Sequence, residues 1–323
     1  MSTRLRFVPE EAKLWKDRKG RPIAIAEVTI RTLLGMFLLL PTPPNTKLIL
    51  GVLGRAQERL DFELYGYAFL SNHGSMLFSV RGARHLAEIM NYIHSNIALE
   101  IGRKENSNWP GRFWGRRGRA ILILGEAELA DRLRYLIANS TKEHLVARPQ
   151  RWPGAHCANA LCRGVDDVGV WVDRTKLWTM EPIGRKRRPP TEEDAATHYP
   201  VRLEKIPSKQ DHSDEEYREW IRQMCREISE EAAKERRQTG QSVLGVKRAL
   251  RFHPHHQPDK IAKSPAPFIH CFSRETRRRF VDAYRLFADG FRLASDELHG
   301  RLSEFSFPQG GLPPTWYCGS PSG

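Results

Sequence analysis

Between residues 23 and 154 the hydrophobic period switches repeatedly between two and 3.6, and the order of those switches limits the possible folds more than any other feature. Ile23 to Thr32 (IAIAEVTIRT) is β-branched and alternating, the pattern of a strand. Asn45 or Thr46 then caps a helix carrying Leu48, Ile49, Val52, Leu53 and Leu60. Phe62 to Leu70 and Met76 to Val80 read as two strands meeting at Ser71-Asn72-His73-Gly74. Leu86, Ile89, Met90, Ile93 and Ile97 form a helical stripe, and a basic loop from Arg103 to Arg119 follows it. Ala120 to Leu124 is a short strand, and a further helix runs from Glu126 to about Asn139. The order β-α-β-β-α-β-α predicts an α/β (α+β) fold, an antiparallel-rich sheet with flanking helices.

Outside that stretch the pattern changes. Residues 1–22 are a polar N-terminal segment, 23–154 the mixed α/β domain, 155–190 a linker and 191–323 a mostly helical region. The linker includes a possible strand at Trp171–Trp178 and the basic run Gly184–Pro190 (GRKRRPP). Ser213-Asp-Glu-Glu216 is a capping box opening a stripe of Tyr217, Trp220, Ile221, Met224, Cys225 and Ile228. A second long helix runs from Arg274 to Leu302.

Charge narrows the partners. The 323 residues hold 52 Lys plus Arg against 38 Asp plus Glu, a net charge of +14, which favours a polyanionic partner. Met1 to Pro22 has no apolar stretch of the kind a secretory signal needs. The longest apolar run, Leu33 to Leu40, falls far short of the roughly 20 residues of a bilayer span. The five Cys include no CxxC pair, against both a disulfide framework and a zinc ribbon. These features predict a cytoplasmic chain with no membrane association.

Two places could carry chemistry. On the helix from Glu126, Leu129, Ala130, Leu133, Leu136 and Ile137 form one apolar stripe, and Tyr135 falls roughly 160° from its centre at 100° per residue. Asn139, at i+4, sits one turn along the same side. A simply exposed tyrosine fits this pattern as well as a functional one does. His73 lies in the turn or at a strand start, where a lone histidine is more often a surface residue than a ligand. His253, His255 and His256 sit in a proline-broken loop with no Cys or carboxylate arrangement to complete a metal site. The second place is the loop 103–119. There Arg103, Lys104, Arg112, Arg116, Arg117 and Arg119 face a single acid, Glu105, with Trp109, Phe113 and Trp114 interleaved. Cations follow phosphates and aromatic faces stack on unpaired bases, so the mixture suits single-stranded or hairpin nucleic acid.

Taken in order, these segments resemble the HUH single-tyrosine transposases, in particular the REP-associated tyrosine transposase group. Phe69-Leu-Ser-Asn-His73-Gly-Ser-Met-Leu77 resembles the strand motif of that group. Gly111-Arg-Phe-Trp-Gly-Arg-Arg117 is similar to its Trp/Arg/Gly strand, and Leu133-Arg-Tyr135-Leu-Ile-Ala-Asn139 to its nucleophile helix. Leu145 to Gly154 is similar to the segment that follows. The resemblance covers about 23 to 154 and implies an HUH-endonuclease-like fold and an enzyme that nicks and rejoins single-stranded DNA. It implies that Tyr135 attacks the scissile phosphate, leaving a 5′-phosphotyrosine link and a free 3′-OH, with Mg²⁺ or Mn²⁺ as cofactor. His73 and Asn139 match two ligand positions. Ser75 stands where the family has its second histidine, and a neutral hydroxyl is a poor substitute for imidazole. The resemblance further implies hairpin DNA as partner and a monomer or homodimer. A DNA-hairpin-binding protein on an inactivated scaffold is the alternative, and an RNA-binding regulator a third.

Overall fold

A computed structural model describes residues 6–105, 111–183, 188–258, 267–299 and 307–312. Strand β1 is Trp15–Lys16, and β2, Pro22–Arg31, is the alternating segment at the sheet centre. Its residues are buried on both faces, and both of its edges are paired, with β4 along one side and β1 and β5 along the other. Helix α1, Pro43–Leu60, begins two residues before the cap expected from the sequence. Thr42 is the cap, Pro43 and Pro44 take the first helical positions, and the Asn45 side chain instead donates inward to the Leu40 carbonyl at 3.2 Å.

Strands β3 (Leu64–Leu70) and β4 (His73–Val80) form a hairpin through Ser71 and Asn72 alone. His73 and Gly74, expected in the turn, are therefore the first residues of β4, with His73 opposite Leu70. Helix α2 is Ala83–Glu105, β5 Arg119–Ile123 and α3 Glu126–Lys142. Every pairing in this sheet is antiparallel, with β4 between β2 and β3. The expected mixed α/β architecture is the one observed.

Register divides the sheet into two faces. Glu27, Thr29 and Arg31 of β2 lie opposite Leu77, Ser75 and His73 of β4, and Gly66 of β3 opposite Leu77, so all share one face. Helix α3 packs there: a Cβ on Gly66 would lie 3.1 Å from Leu133 and 3.3 Å from Leu136. The other face, with Ala26, Val28, Met76 and Phe78, joins α1 and α2 in the main core.

The remaining chain folds back onto this layer. Helix α4, Ala158–Arg163, is followed by the hairpin of β6 (Asp167–Val172) and β7 (Ala196–Val201), which lies on α1. The expected strand at 171–178 is corrected: β6 stops at Val172, and Asp173 caps helix α5, Arg174–Thr179, by accepting from the Lys176 N–H at 2.9 Å. Helix α6, Asp214–Thr239, opens with the Ser213–Glu216 capping box and packs on α3 and α4. The short helix α7 (Val246–Ala249) and the long α8 (Arg274–His299) follow. Before α8, the chain at His270 docks beside β5, its N–H donating to the Leu122 carbonyl and its carbonyl accepting from the Leu124 N–H, both at 2.9 Å. Among the described residues no helix is long and apolar enough to cross a membrane.

Candidate nucleic-acid site

The two sequence motifs that lie 66 residues apart meet at one end of the sheet: Asn139 Nδ2 is 3.1 Å from His73 Nε2. His73 reaches this point because it opens β4, and Asn139 because α3 crosses that face of the sheet. On its other side His73 Nδ1 is 2.8 Å from Asn72 Oδ1. A neutral imidazole that donates from Nδ1 and accepts at Nε2 satisfies both contacts. Burial, reinforced by the Arg31 guanidinium, pushes the His73 pKa down to about 4, against a smaller opposing effect of Asn139, so the neutral form is the one present near pH 7.

Tyr135 sits one turn before Asn139 and is 37% exposed, while Leu133, Leu136 and Ile137 beside it are buried. The Arg132 guanidinium lies 4.0 Å from its ring centroid and the Lys142 ammonium 4.8 Å. The polar side of α3 is nevertheless not a solvent face. Asn139 is buried against His73, and Glu128 is buried and accepts the Phe272 N–H.

Arg132 is fixed from beneath. Its guanidinium grips Glu27 bidentately, both contacts at 2.9 Å, and His270 Nε2 donates to Glu27 Oε2 at 2.7 Å. Burial pushes the Glu27 carboxyl up, but the hydrogen bonds from His270 and Arg132 outweigh it and hold the group below the usual carboxylate range. The sequence reading missed this trio. One signal was available: Glu27 is the only charged residue in the apolar stretch from Ile23 to Ile30.

Ser75 shares the face of His73 and is buried, and its Oγ lies 3.3 Å from Thr29 Oγ1. For a divalent cation the set is therefore incomplete. It comprises one imidazole whose Nε2 lone pair is occupied by the Asn139 amide, that amide, and a hydroxyl turned toward Thr29. Among the described residues no hydrogen bond or ion pair brings a carboxylate to them, and Arg31 is the cross-strand neighbour of His73. Among the described residues no group of three or more His, Cys, Asp or Glu is placed to hold a metal. Both ring nitrogens of His73 are engaged as the side chains stand, so Mg²⁺ or Mn²⁺ could be held there only if the Asn139 amide turned away from Nε2.

The basic loop divides by role. Arg112, Arg116, Arg117 and Arg119 are exposed. Arg119 lies opposite Thr29, on the same face as Ser75. Arg103, in the last turn of α2, pairs with Glu100 at 2.9 Å. Phe113 is only 8% exposed, which corrects the expectation that it stacks on bases. Trp114 is committed as well: it packs edge-on against Phe113 and His94, and its indole N–H donates to the His94 carbonyl at 2.9 Å. These rings hold the loop to the sheet, where the Leu33 N–H donates to the Phe113 carbonyl at 2.9 Å and the Gly115 N–H to that of Arg31 at 3.0 Å. Trp109 and the Lys104 side chain lie outside the described residues.

No protein-family model matches the chain, and no curated protein matches it. Among solved structures it is similar to a REP-associated tyrosine transposase bound to a REP hairpin. The identity is 14% and the TM-score 0.40, covering 51% of this chain and 88% of the other. It is also similar to a candidate transposase from Deinococcus radiodurans, with 12% identity and a TM-score of 0.30, covering 38% of this chain and 95% of the other.

Proposed function

We propose that the chain is a transposase-like protein that binds single-stranded or hairpin DNA at the His73 end of the sheet and nicks and rejoins it through Tyr135. The observation that carries this reading is the meeting of His73 and Asn139 at 3.1 Å, one helical turn from an exposed tyrosine flanked by two cations. In nicking, the Tyr135 oxygen forms a bond to phosphorus and the bond to the 3′ oxygen breaks. The tyrosine loses its proton and the departing 3′ oxygen gains one, leaving a 5′-phosphotyrosine link. Rejoining reverses each change, so the phosphodiester energy is conserved and no nucleotide is consumed. The exposed cations Arg31 and Arg119 supply positive charge for the phosphate from the chain itself.

A second reading, hairpin binding without strand cleavage, is favoured by the buried hydroxyl of Ser75 bonded to Thr29. Incubating the protein with a labelled DNA hairpin, with Mn²⁺, Mg²⁺ or a chelator, separates the two. A covalent adduct that disappears in Tyr135→Phe while hairpin binding persists supports nicking. Binding with no adduct under any condition supports the second reading. An adduct that survives in Tyr135→Phe refutes the assignment of the nucleophile.

A further inference from the structure

Residues 240–258 include Lys247, Arg248 and Arg251, and the first acid after Thr239 is Asp259. The fold lays this stretch across the end of the sheet where β3 turns into β4. The Leu244 N–H donates to the His144 carbonyl at 2.9 Å and the Gly245 N–H to that of Leu145 at 3.0 Å, just after α3 ends. Ala249 is buried with Leu70, Val146 and Trp152, and Leu70 is the register partner of His73. Further on, the Phe37 N–H donates to the His256 carbonyl at 3.0 Å, and the Phe37 ring meets Phe252 with centroids 5.1 Å apart. The anchors of the segment point inward, while Lys247, Arg248 and Arg251 are exposed.

On α6 and α8 exposed arginines pair with carboxylates of their own helix, as in Arg226–Glu219 and Arg292–Asp289. Among the described residues no ion pair takes up Lys247, Arg248 or Arg251. Across the sheet, the loop 111–119 lies along Arg31–Leu33 beside β2. His73 in β4 thus sits between two basic flanks, with the span from β2 to β3 about 10 Å at two strand spacings.

We propose that residues 244–256 form a second wall of the DNA site, with Lys247, Arg248 and Arg251 holding hairpin phosphates opposite the Arg112–Arg119 side. This rests on reading the His73 end as a DNA site. The test is fluorescence anisotropy with a labelled DNA hairpin, titrated at salt concentrations from about 50 to 200 mM. Combined Lys247→Ala, Arg248→Ala and Arg251→Ala substitutions are expected to weaken binding at least tenfold. They should also flatten the salt dependence by about 0.9 in log–log slope for each duplex phosphate that the protein no longer neutralises. Arg285→Ala with Arg292→Ala on α8 is expected to change neither, and thermal melts show whether each variant is folded. Unchanged affinity and slope in the triple variant, with both reduced by Arg112→Ala, Arg116→Ala and Arg117→Ala, would remove the second wall and leave the DNA reading standing. Wild-type protein that binds no hairpin overturns both. Tighter binding to an RNA hairpin of the same sequence overturns the choice of DNA.

Discussion

At position 75 strand geometry and packing pull in different directions. Residues two apart on a strand share a face, so a histidine there would stand beside His73. Yet the site is closed: Ser75 is 3% exposed and its hydroxyl meets Thr29. Ser75→His is therefore expected to do two opposite things. A second imidazole should tighten Mn²⁺ binding at least tenfold, the lower end of what removing even an outer partner of a metal ligand costs. The larger side chain should destabilise the fold by about 1–3 kcal/mol through overpacking. Calorimetric titration with Mn²⁺ and a thermal melt read the two effects separately. Unchanged metal affinity in a folded variant would show that position 75 is not beside a ligand site.

Helices and strands in this chain meet closely where glycine allows it. A Cβ on Gly51 of α1 would lie 2.2 Å from the Val170 carbonyl oxygen of β6, a contact with backbone that cannot move aside alone. Gly102 of α2 has nothing within 4 Å of the same position. In a helix interior Ala is favoured over Gly by about 1 kcal/mol, so Gly102→Ala should raise stability by up to that amount. Gly51→Ala should lower it despite the same gain, because the β6–β7 hairpin must shift off α1. Urea denaturation of both variants gives the comparison. This scale also shows what sequence can reveal. The alternation of Ile23–Thr32 and the stripe of α3 were legible because each element repeats its own period. Phe113 and Trp114 were not, since aromatics among arginines look alike whether they face a base or pack on each other and on His94. Nor was the end of β6, where the decisive Asp173 cap interrupts an apolar pattern that otherwise continues. His73 and Asn139 stood out individually, but Glu27, Arg132 and His270 share no local pattern that links them.

Over the whole molecule, three histidines with strongly lowered pKa values set a common pH response. Burial pushes His73, His94 and His156 each down to about 4, with nearby Arg31 and Arg6 adding to the effect at the first two. An unfolded histidine titrates near 6.5, so between those values the unfolded chain binds more protons than the folded one. Stability is then fully present above about 6.5, falls as pH drops toward about 4, and levels off below it for these groups. Each imidazole contributes at most about 1.4 kcal/mol per pH unit inside that window. Denaturation midpoints measured across it should fall with acidification, and His94→Gln should reduce the slope. A flat profile would contradict the lowered pKa values of these rings. The bridge from His270 to Glu27 has a consequence in time. Its partners are 243 residues apart, whereas Arg132 follows Glu27 by only 105. At synthesis rates of roughly 5–20 residues per second, Arg132 arrives about 5–20 s after Glu27, and His270 about 12–50 s after it. The sheet therefore leaves the ribosome with its central carboxylate held first by one cation, and a residue made much later in synthesis completes the partners of β2.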